Sequence, residues 1–207
     1  MLTNIDTIIF DLGGVIINLD PMATAVAMGK VMGVSPNTLM DALHHDETFQ
    51  QYEKGFISDG EFLHYLESFT PREVTPGDLT DAWNAMLLDI PPSRIALLQR
   101  LAADYRLFVL SNTNAIHIRA FNQILQKDTG HSSLEAIGVF DTVYFSYEVG
   151  RRKPDSEIFS YVVQDAGLDP ARALFLDDGP ANLEGAQSVG LHTQLVTPDR
   201  TILDLFA

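Results

Sequence analysis

The chain has 207 residues, 46% of them hydrophobic and 20% charged, with a formal net charge of −15; this allows one domain, or a core with a modest insertion. The acidic balance disfavours nucleic acid and anionic membrane as partners, and the absence of cysteine excludes disulfides and thiolate zinc sites. No apolar run approaches the roughly 18 residues of a membrane span, and the N-terminus lacks a basic segment and meets Asp6 and Asp11 early, so a cytoplasmic location is expected.

Residues 6–11 read as the first buried strand. The apolar run Thr7-Ile8-Ile9-Phe10 ends on the carboxylate of Asp11 and turns on Leu12-Gly13-Gly14. A carboxylate at the C-terminal tip of a strand, followed by a tight glycine turn, is the usual shape of an α/β active site. From 18 to 89 the pattern changes to helices, expected over 22–32, 36–44, 58–67 and 78–88. Turn signals separate them at Gly33-Val34-Ser35-Pro36, Gly55, Pro71 and Pro76-Gly77, and no strand is evident. Strands are expected again at 106–111, 142–146, 173–177 and 192–196, alternating with helical patterns such as 93–104 and 155–166. Such alternation gives a parallel sheet with helices on both faces. The fold class is therefore α/β: a Rossmann-like doubly wound sheet formed by 1–17 and 90–207. A helical bundle cap, 18–89, is inserted after the first strand.

A second acidic strand tip, Asp177-Asp178-Gly179, lies near the other end of the chain. Three carboxylates converging on one sheet edge repel each other unless a cation sits among them, which points to a magnesium site. The adjacent His44 and His45 face different sides of a helix and make no metal pair.

Four segments line up at strand ends: Phe10-Asp11-Leu12-Gly13-Gly14-Val15, Leu110-Ser111-Asn112-Thr113-Asn114, Gly150-Arg151-Arg152-Lys153-Pro154 and Asp177-Asp178-Gly179-Pro180-Ala181-Asn182. In this order they resemble the haloacid dehalogenase superfamily, largely magnesium-dependent phosphatases, over essentially the whole chain. The insertion looks like that family's small cap. Within the family the chain resembles the bacterial α-D-glucose-1-phosphate phosphatases, which share the glycine two places after the nucleophile, the Ser-Asn-Thr-Asn run and the Arg-Lys-Pro triplet.

The resemblance implies a phosphatase acting on a small phosphorylated metabolite, such as a hexose 1-phosphate, through an aspartyl phosphate. Asp11 is then the nucleophile. Ser111 and the Asn112 backbone grip the phosphoryl oxygens, and Lys153 supplies positive charge to phosphate and to Asp11. Mg²⁺ is held by Asp11, the Gly13 carbonyl and Asp178, with Asp177 acting through water. Asn182 organises the site from behind, or simply bonds the start of its helix.

Most phosphatases of the superfamily carry an aspartate, the general acid and base, at the position held here by Gly13. Loss of such a group costs roughly 10²–10⁴-fold in rate. Asp20 is a substitute acid or, more simply, the start of the first cap helix beside Pro21. In the cap, His44, His45, Gln50, Tyr52 and Trp83 are candidates for substrate contact, whereas Phe49, Phe56, Phe62 and Leu66 read as its own core. Two other readings stay open: a metal-free 2-haloacid dehalogenase, which also lacks the second aspartate, and a catalytically weak phosphate-binding regulatory protein.

Overall fold

The computed structural model describes residues 4–36, 46–70 and 73–207. Between β1 (Thr7–Phe10) and β2 (Arg106–Ser111) run α1 (Pro21–Met32), α2 (Glu47–Glu53), α3 (Asp59–Glu67), α4 (Pro76–Asn84) and α5 (Pro92–Leu101). Then come α6 (Ala115–Thr129), α7 (Leu134–Ile137), β3 (Thr142–Phe145), α8 (Ser146–Val149) and α9 (Ser156–Asp165). A 3₁₀ turn at Pro170–Arg172 leads to β4 (Ala173–Asp177), α10 (Pro180–Ser188), β5 (His192–Leu195) and α11 (Ile202–Leu205).

All five strands are parallel, in the order β3-β2-β1-β4-β5. β1 is central and every one of its residues is buried, as its β-branched and aromatic composition requires. Its side chains alternate between two cores. Ile8 and Phe10 join Val109 and Leu176 beneath Leu98 of α5 and Phe121 of α6. Ile9 joins Phe108 and Phe175 beneath Phe159 of α9 and Leu183 of α10.

The insertion has its own core of Met28, Tyr52, Phe62, Leu66, Leu79 and Trp83, into which α6 contributes Ile116. Tyr52 and Phe62 stack with ring centroids 4.0 Å apart, and Trp83 meets Phe62 edge-on at 5.0 Å. Asp20 caps α1 by accepting from the Met22 and Ala23 N–H groups, with Pro21 in the first turn. Its carboxylate is thus occupied as a helix start.

The structure departs from the sequence reading at several places. The Pro76-Gly77 turn signal belongs to the first turn of α4, because Thr75 and Asp78 form a capping box around it. The helix therefore begins earlier than expected and stops at Asn84. Helices the sequence reading did not name also appear: α2 and α6, and the four-residue α7, α8 and α11. The expected helix over 36–44 falls almost wholly outside the described residues. Phe56 is exposed rather than part of the cap core. The two segments joining the insertion to the sheet also pair with each other. Asn18 N–H donates to Asp89 O (3.0 Å), Leu88 N–H to Asn18 O (3.0 Å) and Asp20 N–H to Met86 O (2.9 Å), with an antiparallel bridge at Leu19 and Leu87. A short backbone ladder thus stands where no strand was expected.

Candidate active site

The central position of β1 decides what surrounds its tip. Phe10 is in register with Leu176 of β4, so Asp11 and Asp177, one residue further on, end neighbouring strands side by side. Asp11 N–H continues the ladder to Leu176 O at 2.8 Å. On the other flank Ser111 ends β2, whose Val109 is in register with Phe10.

Lys153 fills the gap between the two tips. Its Nζ lies 2.8 Å from Asp11 Oδ1 and 2.6 Å from Asp177 Oδ2, and the side chain is buried. Asp177 is saturated, because its Oδ1 also accepts from Gly179 N–H (2.7 Å) and Asn182 Nδ2 (2.8 Å). Asp11 is only half held. Its Oδ1 accepts from Leu12 N–H at 2.7 Å, while Oδ2 has no partner among the described residues. Asp178 is exposed, and one oxygen each of Asp11, Asp177 and Asp178 lies within 4.8 Å of the others.

Three carboxylates against one ammonium leave two formal negative charges. Burial pushes the Asp11 carboxyl up to about 7 against the pull of Lys153, and Asp177 and Asp178 add to the rise. Asp178 is raised by partial burial and by Asp177. Although burial works against its charge, Lys153 is held above its ordinary value by the two carboxylates, so it stays protonated. Of the two buried carboxylates in this cluster Asp11 is the less satisfied, and it is the one that takes a proton while no other cation is near.

The Lys153 loop is fixed by Asn112, whose side chain accepts from Lys153 N–H (2.8 Å) and donates to Lys153 O (2.8 Å). This two-way clamp explains why the tip of β2 carries an asparagine, a use of that side chain the sequence does not announce. The triplet Arg151-Arg152-Lys153 follows the short helix α8 rather than a strand directly, because Ser146 starts that helix.

Asp11, Gly13, Ser111, Asn112, Lys153, Asp178 and Asn182 all line one cavity of about 210 Å³, and Asp177 stands immediately behind them. Gly14 approaches the acidic cluster so closely that an added Cβ would sit 2.3 Å from Asp178 Oδ2. Its φ of +70° also suits glycine. At Gly13 a Cβ would instead meet Leu19 Cδ1 at 2.5 Å. Leu19 thus occupies space that a side chain at 13 would need.

The far wall comes from the insertion and α6. Phe49, Trp83, Met86 and Leu87 line it, together with Glu53, His117 and Ile118. Phe49 both faces the cavity and packs edge-on against Trp83 at 5.7 Å, so it is more than cap core. Tyr52, a candidate for substrate contact, is instead buried with its hydroxyl on Asp59 at 2.7 Å. His44 and His45 lie outside the described residues. Sequence reasoning missed Glu53 and His117 because it missed their helices. The seven residues of α2 show no clear apolar period, although Asp46 followed by Glu47 is a legible helix start. Asn114, which caps α6 by accepting from His117 N–H at 2.9 Å, was an equally available signal.

A parallel sheet that gathers carboxylates and one buried lysine at its carboxyl edge, beneath a helical insertion, defines a Rossmann-like enzyme with an anionic, cation-seeking centre. The chain belongs to the haloacid dehalogenase-like hydrolases, whose family model matches residues 5–190. It is 29% identical over 189 residues to the D-ribitol-5-phosphate phosphatase of Bacteroides thetaiotaomicron, covering 91% of this chain and 90% of that protein. A haloacid dehalogenase family enzyme of the same organism, solved in complex with magnesium and inorganic phosphate, is 32% identical. Its TM-score is 0.85, and the match covers 98% of this chain and 100% of that one. The L-2-haloacid dehalogenase of Xanthobacter autotrophicus shares the fold, with a TM-score of 0.60 and 18% identity over 93% of this chain and 77% of that one.

Proposed function

We propose that this chain is a magnesium-dependent phosphatase. It takes a small phosphorylated sugar or sugar alcohol and passes the phosphoryl group through Asp11 to water. The observation that carries this reading is the shared Lys153: one buried ammonium serves Asp11 and Asp177, and the cluster remains short of positive charge. That donor set, all hard oxygens, fits Mg²⁺. Asp11, Asp178 and the Gly13 carbonyl would hold it, with Asp177 behind. When bound, it offsets the charge of the phosphoryl group and of the carboxylate facing it.

Asp11 Oδ2 is the oxygen free to attack, since Lys153 and the Leu12 N–H anchor Oδ1. A bond from Oδ2 to phosphorus forms as the bond to the leaving oxygen breaks, giving an aspartyl phosphate. Water then attacks that phosphorus, releasing inorganic phosphate and returning the carboxylate. Ser111 and the Asn112 backbone hold the phosphoryl oxygens. Residues 18–89 act as the cap, with the paired linkers at 18–20 and 86–89 as its stem and the apolar wall limiting access of water. The dehalogenase reading is less well supported, because it gives no task to the exposed Asp178 beside the saturated Asp177.

The leaving oxygen finds no carboxylic acid at position 13, and Asp20 is spent as a helix cap. An anomeric oxygen leaves more easily without protonation than a primary alcohol. This favours hexose 1-phosphates, whereas likeness to a D-ribitol-5-phosphate phosphatase favours pentitol 5-phosphates. The test is phosphate release from hexose 1-phosphates, hexose 6-phosphates and pentitol 5-phosphates, with Mg²⁺ and with EDTA. EDTA should abolish turnover, and kcat should climb with leaving-group acidity. Halide release from 2-haloacids that survives EDTA would overturn the phosphatase reading; a flat series would remove only the leaving-group argument.

A further inference from the structure

On the side of the insertion and α6 the cavity is lined by residues with polar atoms that make no hydrogen bond within the protein. Glu53 is 9% exposed, and its Oε2 lies 3.0 Å from Arg152 Nε in an orientation that makes no hydrogen bond. Both atoms are therefore buried without a hydrogen-bond partner. The Trp83 indole N–H, on a residue 4% exposed, is in the same condition. His117 stacks on Trp83 with ring centroids 5.3 Å apart, and its Nδ1 is 2.9 Å from Asn84 Oδ1. Because that amide oxygen can only accept, Nδ1 carries the proton. Nε2 is then an acceptor with no partner among the described residues. Burial pushes the His117 pKa down to about 4, so the ring is neutral at physiological pH. Burial raises the Glu53 carboxyl, against Arg152.

Buried donors and acceptors left unpaired are uncommon in native proteins, and each calls for an explanation. Here two of them, Glu53 Oε2 and Trp83 Nε1, belong to residues that line the same cavity as the proposed phosphoryl site, together with His117, whose Nε2 has no partner among the described residues. Hydroxyl groups donate readily, so a polyhydroxylated ligand in this cavity could bond the Glu53 carboxylate and His117 Nε2. A second anionic group could not be accommodated. Among the lining residues Lys153 is the one cation, and Asp11 and Asp177 already occupy it.

We propose that Glu53 and His117 are specificity-determining residues that read hydroxyl groups on the leaving part of the substrate. Trp83 supplies a flat wall beside them. The site accordingly selects neutral polyol or sugar monophosphates over esters whose leaving part bears a carboxylate or second phosphate. This rests on the phosphatase reading and adds to it which residues choose the substrate and by what chemistry.

The experiment uses the whole protein with Mg²⁺ and compares three esters: ribose 5-phosphate, p-nitrophenyl phosphate, which has no hydroxyl to be read, and 6-phosphogluconate, which carries a second anion. In the wild type, 6-phosphogluconate should be the poorer of the two sugar esters. Glu53→Gln should lower kcat/KM for ribose 5-phosphate about 10- to 100-fold, the worth of a hydrogen bond to a charged group. It should leave p-nitrophenyl phosphate within about threefold and improve 6-phosphogluconate relative to ribose 5-phosphate. His117→Phe keeps an aromatic ring against Trp83 and should cause a loss in the same direction. Arg152→Gln tests the alternative that the Glu53–Arg152 pair merely fastens the cap. Equal losses on all three esters in both Glu53→Gln and Arg152→Gln would mean a fastening role and overturn the proposal, as would no change on any ester. If the wild type hydrolyses p-nitrophenyl phosphate but does not distinguish the sugar esters, only the specificity claim fails. If it hydrolyses none of the three, the phosphatase reading fails, and this proposal with it.

Discussion

At the strand-tip end of the cavity, Asp11, Lys153 and Asp177 sit on or beside backbone whose register fixes them, and Asp177 accepts three hydrogen bonds. At the insertion end, Glu53, Trp83 and His117 sit on helices; Glu53 Oε2 and Trp83 Nε1 are buried without a hydrogen bond, and His117 Nε2 has no partner among the described residues. The first end is preorganised, so its groups need little rearrangement when charge moves. The second is left open, so a ligand must complete it. The contrast teaches that the same chain can spend its hydrogen bonds on positioning where chemistry is to occur and withhold them where selection is to occur.

The sharpest way to break this contrast is at Asp11. Asp11→Asn removes the attacking oxygen and should lower phosphate release by about 10⁴-fold or more. It also removes one of three crowded carboxylates. Without divalent cation the variant should therefore melt at or above the wild-type temperature. A lower melting temperature would mean that the Asp11–Lys153 pair stabilises the fold more than the crowding costs. Lys153→Met is next. It strands Asp11 and Asp177 face to face, and breaking a buried pair costs about 3–5 kcal/mol. Urea unfolding near pH 8 should show that loss. It should shrink in acid, because protonation of Asp11 removes the uncompensated charge. A pH-independent loss would point to packing against Phe175, whose ring lies 5.4 Å from Nζ, instead of charge.

The preorganised end was also the end legible in the sequence. A carboxylate after a buried strand, a second acidic tip, and a basic triplet before a proline are local signals, and register brings them together once the sheet forms. The clamp of Asn112 on the Lys153 backbone is a contact across 41 residues and leaves no local trace. Glu53 and His117 were hidden for a related reason. Their placement depends on how the insertion docks on α6, through Ile116 in the cap core and the Tyr52 hydroxyl 3.4 Å from Asn114 Oδ1. Periodicity describes one element at a time, whereas this wall is made between elements. Position 13 lies between the two cases. The missing acid is legible, but its replacement in space by Leu19 is not.

A smaller effect sharpens the account of the charged end. With its pKa raised to about 7, Asp11 holds a proton below that pH and is a carboxylate above it. A cation must displace that proton, so Mg²⁺ affinity should weaken as pH falls, by up to about tenfold per unit below 7. Calorimetric titration across roughly pH 5.5–8.5 checks this. A constant affinity would mean that Lys153 keeps Asp11 ionised throughout.

The smallest expected effect is at Gly14. Alanine there must adopt a positive φ and would bring a methyl group 2.3 Å from Asp178 Oδ2. The backbone strain alone should cost about 1–2 kcal/mol of stability. The decisive readout is the way the loss divides. Asp178 is exposed and can swing away from a methyl group, whereas Asp177 is locked by Lys153, Gly179 and Asn182. Gly14→Ala should therefore weaken Mg²⁺ binding while leaving the pairing of Lys153, and with it the acid sensitivity of unfolding, unchanged. If Mg²⁺ affinity were unaltered, Asp178 would not be a ligand, and the open side of the cluster would need another explanation.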